Sequence, residues 1–361
     1  MPHTPFFASI LEIDLAAIAA NYAQLRARHG APVAGVVKAD AYGLGAGRVA
    51  PALHQAGCRH FFVAHLAEAL AIRALVPGAM LATLNTMLPG SEATHAEHAV
   101  VPVLGSLDEV ARWRAEAARR SRTLPALLHL DTGMNRLGLD ARELALLAAD
   151  HSLLQGISLL YVITHLTASE IPADPRNIEQ REAFAAARAM LPAAPASLAN
   201  SSGLFLGEAF ASDLARPGAA LYGINPTPGA ANPMRLAVRL RARVLQVRDV
   251  PAGGTVGYNA TWQAARPSRI ATLGVGYADG WSRALSNAAA AIFDGAPVPL
   301  VGRVSMDLTT YDVTDHPAIV PGSWLELLGP SMPPEALAAV AGTSGYEILT
   351  SLGSRYGRVY R

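Results

Sequence analysis

A lysine at the end of an apolar run is the first residue in this chain that could do chemistry. The stretch Val36-Val37-Lys38-Ala39-Asp40-Ala41-Tyr42-Gly43-Leu44-Gly45 reads as the end of a short buried strand, residues 32–37, followed by a glycine-rich turn. A charge held there is costly unless it is paired or lost. Burial lowers a lysine pKa, and the neutral amine can then condense with a carbonyl as a Schiff base. Taken alone, the segment reads first as a snorkelling lysine beside an ordinary turn. Four more polar sets follow: Asp131-Thr132-Gly133-Met134-Asn135-Arg136, Thr164-His165, Asn200-Ser201-Ser202-Gly203 and Arg216-Pro217-Gly218-Ala219. Two glycine-rich turns come later, Gly274-Val275-Gly276-Tyr277-Ala278-Asp279-Gly280 and Val301-Gly302-Arg303-Val304-Ser305-Met306-Asp307. Each alone has a plain explanation: a helix cap, a solvated arginine, a satisfied buried histidine, a tyrosine packed in a turn.

What joins them is the elements that carry them. A strand over 8–13 precedes a helix that Asp14 caps and that runs to about residue 29. Strand-like runs then recur near 33–37, 60–64, 79–83, 99–103, 126–131, 157–163, 195–198 and 212–215. Most are followed by alanine-rich helical stretches, among them 46–55, 67–75, 107–119 and 142–149. Parallel strands need helical crossovers, so the alternation predicts a parallel sheet. About eight units fit a (β/α)8 barrel better than an open sheet, which stays open as an alternative. In a barrel the C-terminal strand ends hold the active site, and the polar sets up to residue 219 all fall at such ends.

After Tyr222-Gly223-Ile224-Asn225-Pro226 a Pro-, Gly- and Asn-rich stretch, 227–234, reads as a linker. Valine-rich alternating runs separated by Gly and Pro turns follow, over 238–250, 269–275, 291–301, 308–313 and 324–328. Only 334–341 has a helical pattern, so the second part is mostly β. The expected division is a barrel over 10–228 and a β-rich domain made of 1–9 with 229–361.

Composition narrows the function. Of the 361 residues 51% are hydrophobic and 16% charged, enough for a large core and against disorder. A net charge of +1 with interspersed signs leaves no nucleic-acid footprint. No apolar run has membrane-spanning length, and residues 1–9 lack secretory-signal features. Cys58 is the only cysteine, which excludes an internal disulfide and suits a reducing cytoplasm. The spacings of His54, His60, His65, His95 and His98 match no zinc pattern, so no metal is expected. The glycines of 43–47 form neither a dinucleotide fingerprint nor a Walker loop.

Val37-Lys38-Ala39-Asp40-Ala41-Tyr42-Gly43 resembles the pyridoxal-phosphate attachment motif of the bacterial alanine racemases. The order and spacing of 131–136, Arg216-Pro217-Gly218, Gly276-Tyr277-Ala278-Asp279-Gly280 and Gly302-Arg303-Val304-Ser305-Met306-Asp307 are similar to that family, as is Tyr346-Glu347-Ile348-Leu349-Thr350. The resemblance spans essentially the whole chain. It implies a (β/α)8 barrel, a β domain and a homodimer in which each site joins one subunit's barrel to the other's β domain. It implies pyridoxal 5'-phosphate held on Lys38 and racemisation of alanine, with Lys38 serving one face of Cα and Tyr277 of the partner subunit the other. It assigns help for the tyrosine to His165 with Arg216 behind it, and sets Arg216 against the pyridine nitrogen. Tyr42, Asn200, Ser201, Gly218 and Ala219 would hold the cofactor. Arg136 and the Met306 backbone would hold the substrate carboxylate, with Asp307 in support.

Two positions depart from the pattern. Many family members carry a carbamylated lysine where this chain has His129, and some use a tyrosine where it has Ser354, with Tyr356 two residues on. Other readings stay open: a racemase of different choice such as serine, a decarboxylase of the same architecture, or a non-catalytic cofactor carrier.

Overall fold

The computed structural model describes residues 6–361, so the first five residues of the unit expected over 1–9 lie outside the described residues. The first strand is β1 (Ser9–Ile13), entirely buried, and the helix Leu15–His29 follows it. Asp14 starts that helix as expected, its carboxylate accepting from Ala17 N at 2.8 Å.

The barrel follows. Strands β2 (Gly35–Val36), β3 (His60–Val63), β4 (Met80–Thr83), β5 (Val100–Leu104), β6 (Leu124–His129), β7 (Ile157–Ile163) and β8 (Ala196–Ser197) pair in parallel in chain order. The eighth place, expected over 212–215, is taken by a single parallel bridge between Val33 and Ala215. Ala34 N donates to Ala215 O (2.8 Å) and Leu214 N to Ala196 O (3.1 Å), which joins β8 back to β2 and closes the ring. Phe62, Ala82, Val101, Val103, Leu127 and Ile163 fill the interior. Branched side chains dominate there beside Ala82 and Phe62, as in a packed barrel.

The second part is mostly β. Its spine is β9 (Val238–Val250), thirteen residues long. A two-stranded ribbon, β10 (Thr255–Val256) with β11 (Trp262–Gln263), stands apart. The main sheet adds β12 (Ser268–Leu273), β13 (Ala290–Phe293), β14 (Ala296–Pro299), β15 (Thr309–Asp312), β16 (Trp324–Leu328) and β17 (Gly357–Tyr360). In this sheet β1 lies between β9, antiparallel, and β17, parallel. The division expected between residues 9 and 10 therefore cuts β1, all five residues of which pair with the C-terminal sheet.

Helix Pro334–Ala341 is where the pattern put it, but a second helix, Gly345–Thr350, follows it. Six residues with β-branched members are too short for a helical period to show. Ser344 starts it by accepting from Glu347 N. No helix among the described residues is long and apolar enough to cross a membrane.

Candidate active site

Lys38 ends the β2 segment and enters an unusual turn. Ala39, Asp40, Ala41 and Tyr42 all have left-handed backbone, φ between 52° and 56°, before Gly43 at 80°. L-residues resist that region, each costing roughly 1–2 kcal/mol in a left-handed turn. The turn is therefore held from outside. Glu68 Oε1 accepts from Ala39 N at 2.7 Å, while its Oε2 accepts from Ala64 N (2.7 Å) and His65 N (3.1 Å). Arg358 Nη1 donates to Gly43 O at 2.7 Å. The turn aims Lys38 and the Tyr42 ring into one cavity.

That cavity, about 540 Å3, opens at the C-terminal end of the barrel. Lys38, Tyr42, His165, Asn200, Ser201, Arg216, Gly218 and Ala219 all line it, brought together from several strand ends. Arg136, Tyr277, Met306 and Asp307 are not part of its wall. Arg136 is exposed nearby, on a loop shaped by Asp131, whose Oδ1 accepts from Gly133, Met134 and Asn135 N at 2.9–3.1 Å. Tyr277 and Met306 are 45% and 53% exposed on the β domain, side by side: Tyr277 N donates to Ser305 O and Ala278 N to Met306 O, both at 3.0 Å.

The electrostatics of the wall are basic and dry. Burial first, and then the Arg136 guanidinium, lower the Lys38 pKa, while Glu68 partly opposes them. Burial, with Arg216, Arg136, Lys38 and His129 adding to it, takes His165 down to about 3, so its imidazole is neutral. Burial takes Arg216 down to about 10, which leaves it a cation at neutral pH. Arg216 donates through Nη2 to Thr164 O at 2.5 Å and through Nη1 to Ser197 Oγ. It thus braces the backbone beside His165. His129, at the end of β6, is held near 4 by burial and then by Arg216, with Arg136 adding to both. The departure from lysine there puts a neutral ring within the field of Arg136.

One corner suits an anion. Ser201 Oγ accepts from Gly218 N (3.0 Å) and Ala220 N (3.2 Å), so a hydroxyl and backbone donors converge. A Cβ on Gly218 would come within 2.2 Å of Tyr42 Oη, so only glycine lets the phenol in. Asn200 Oδ1 accepts from Gly203 N (2.8 Å) and Ser169 Oγ (3.0 Å), which fixes the Ser201 loop.

Tyr356 is buried in the β domain and leaves the cavity alone. The tyrosine that does reach the wall from the C-terminal part is Tyr346, on the helix missed by pattern, and its hydroxyl meets Glu170 across the mouth. Gln180 was also invisible in the sequence. Buried on helix Arg176–Ala189, it donates to His165 O (3.0 Å) and Thr132 Oγ1 (3.2 Å) and accepts from Thr167 N (2.8 Å), tying three loops together. No group of three His, Cys, Asp or Glu side chains is gathered for a metal among the described residues.

Comparison with known proteins places this arrangement in a family. Residues 13–226 match "Alanine racemase, N-terminal domain" and residues 237–360 match "Alanine racemase, C-terminal domain". The chain is 60% identical over 351 residues to the alanine racemase of Acidiphilium cryptum, covering 97% of this chain and 98% of that one. It is 50% identical over 365 aligned positions to that of Rhodospirillum rubrum, covering 100% and 98%. The crystal structure of alanine racemase from Bartonella henselae with covalently bound pyridoxal phosphate superposes with a TM-score of 0.96 at 41% identity, covering 98% of this chain and 99% of that one. With two domain matches end to end and a relative this close over nearly its full length, the chain belongs to the alanine racemase family.

Proposed function

We propose that this chain is a pyridoxal-phosphate-dependent alanine racemase, an isomerase that interconverts L- and D-alanine, working as a homodimer with shared active sites. The observation that carries the reading is Lys38, its charge disfavoured by burial, on the wall of one cavity with the Tyr42–Ser201–Gly218 corner. The residues fit the cofactor: a lysine for its aldehyde, hydroxyl and backbone donors for its phosphate, and a cation for its ring nitrogen. When bound, pyridoxal phosphate makes the Cα proton of an amino acid removable.

The protein's own groups supply the rest. Lys38 holds the cofactor and exchanges a proton on one face of Cα. Arg216 stays protonated and has only donors, so a ring nitrogen held against it would stay unprotonated. The Ser201 hydroxyl, the Gly218 and Ala219 N–H groups and the Tyr42 hydroxyl would hold the phosphate, and Asn200 fixes the Ser201 loop. Arg136 pairs with the substrate carboxylate as a planar fork on a planar anion, assisted by the Met306 backbone and Asp307 of the partner subunit. Racemisation needs a second acid-base group on the opposite face. Tyr277 is exposed on a glycine-flanked loop of the family pattern and lies outside its own chain's cavity, so we assign Tyr277 of the partner subunit to that face. A phenol titrates near pH ~10 and needs its anion stabilised. The neutral His165 and the Arg216 charge, both on the cavity wall, would supply this. The working domains are the barrel and the β-rich unit, with β1 belonging to the latter. A single buried cysteine agrees with a cytoplasmic enzyme.

Incubation of the cofactor-loaded protein with L-alanine in deuterium oxide tests the reading. D-alanine carrying deuterium at Cα is expected, and none from Lys38→Ala. Exchange without D-alanine would refute the assignment of Tyr277, and release of carbon dioxide from lysine or ornithine would refute racemisation itself.

A further inference from the structure

The loop that carries Tyr277 is held on two sides, and one side chain reaches across both. On one side are the two backbone bonds to Ser305 and Met306, with no space to spare. A Cβ on Gly276 would lie 2.4 Å from each of those carbonyl oxygens. On the other side Gly353 N donates to Asp279 O at 2.9 Å, and a Cβ on Gly280 would strike Ser351 O at 1.7 Å. The loop is thus wedged between segments 305–308 and 351–355. Asp279, only 4% exposed, turns back to accept from Gly276 N at 2.9 Å. Arg355 takes both of its oxygens, Nε to Oδ1 at 2.7 Å and Nη2 to Oδ2 at 2.9 Å. The third nitrogen, Nη1, reaches Asp307 Oδ1 at 2.8 Å, on the loop that carries Met306.

We infer that Arg355 is a positioning residue for the reaction: its fork locks the Tyr277 loop to the Met306 loop and so sets where both stand against the facing subunit's Lys38. The inference rests on the proposed role of Tyr277. A planar guanidinium with three nitrogens in use fixes angle as well as distance. Proton transfer is sensitive to both, and a shift of about 1 Å can cost on the order of 100-fold in rate. Lysine at this position would keep the charge beside the buried Asp279 carboxylate but could not span both carboxylates in fixed geometry.

The test compares cofactor-loaded dimers of the wild type, Arg355→Lys and Asp307→Asn, with Arg355→Met as the severe case. Melting temperature, dimer mass, kcat and KM are measured, together with primary isotope effects on Cα-deuterated L- and D-alanine. Arg355→Lys is expected to keep the dimer and the wild-type melting temperature while kcat falls roughly 10- to 100-fold, by more than KM rises. The isotope effect should grow for the enantiomer whose Cα–H faces Tyr277 and shrink for the other, because one of two proton transfers has been slowed. Asp307→Asn, which cuts a single arm, should move both isotope effects the same way by less. Isotope effects unmoved in Arg355→Lys, or an undiminished kcat, would overturn the inference while leaving the racemase reading intact. Absence of D-alanine from the wild type would overturn the reading beneath it. If Arg355→Met fails to fold, Arg355→Lys and Asp307→Asn alone decide between these outcomes.

Discussion

Gly218→Ala probes the anion corner directly. The added Cβ would stand 2.2 Å from Tyr42 Oη, 2.9 Å from Cζ and 3.2 Å from Cε2. The phenol has little freedom to retreat. Its ring packs 4.8 Å from that of Tyr222, whose hydroxyl donates to Val36 O at 2.9 Å, and its own backbone is fixed in the left-handed turn. Overpacking a tight site costs about 1–3 kcal/mol. If that strain is expressed in cofactor binding, the dissociation constant for pyridoxal phosphate rises about 5- to 140-fold, at about 1.4 kcal/mol per tenfold. Absorbance titration of the apoprotein measures it, with apoprotein melting as a control for general damage. Tyr42→Phe alone loses one donor, about 1 kcal/mol. It also removes the atom closest to the new methyl, so the double variant should be less impaired than the two single losses added together. Strict additivity, or wild-type affinity in Gly218→Ala, would refute the cradle as drawn.

Four further outcomes follow from particular contacts. Glu68→Ala removes the acceptor of three backbone N–H groups, which should cost about 1–3 kcal/mol in urea unfolding. It should also lower the Lys38 pKa further, readable from the pH dependence of amine labelling in the apoprotein. Asn21→Ala strips the buried amide that donates to Leu221 O (3.0 Å) and Arg235 O (2.7 Å) and accepts from Arg235 N (2.8 Å). About 2–4 kcal/mol of stability should go with it, seen as a lower melting temperature. His129 has its folded pKa depressed to about 4 against 6.5 unfolded, so acid favours the unfolded chain. Its contribution is whole above pH ~6.5 and is lost as pH falls towards 4; His129→Gln should flatten the urea midpoint over that window and leave it unchanged at neutral pH. Arg136→Lys keeps the charge without the fork, so KM for alanine should rise roughly tenfold with a smaller change in kcat.

What the sequence could and could not say divides along physical lines. The barrel was legible because buried parallel strands are continuous apolar runs that alternate with helical stretches, the first of them capped by Asp14. The polar residues lining the cavity were legible because strand ends are where polar residues interrupt such runs. Strand β1 was seen and residues up to Ser9 were given to the β-rich unit, but the rest of it was given to the barrel, since pairing with β9 and β17 is decided by distant partners. A turn after Lys38 was legible from its glycines, but its left-handed run was not: Ala-Asp-Ala-Tyr carries no glycine, and what holds it is Glu68 on another element. Gln180 and Arg355 were missed for the same reason, being ordinary polar residues whose meaning lies in what they reach. Tyr356, two residues beyond the departure at Ser354, packs into the core and not against the cavity.

The seat of β1 has a consequence for how the protein comes into being on the ribosome. Ile10 is made well before its neighbours in the sheet, Arg241 and Gly357. The barrel can close once residue 217 has emerged, but the sheet of the β domain ends at β1 until β17 arrives. During that interval β1 is an unpaired apolar edge, the kind of surface that recruits chaperones or a wrong neighbour. Arg355 sits two residues before β17, so the loop bearing Tyr277 gains its brace only as the sheet is completed. A nascent chain can therefore own a finished barrel before it owns the loop it would lend to another subunit. Pulse-labelled chains released short of residue 355 would reveal that order by being compact and protease-resistant in the barrel alone.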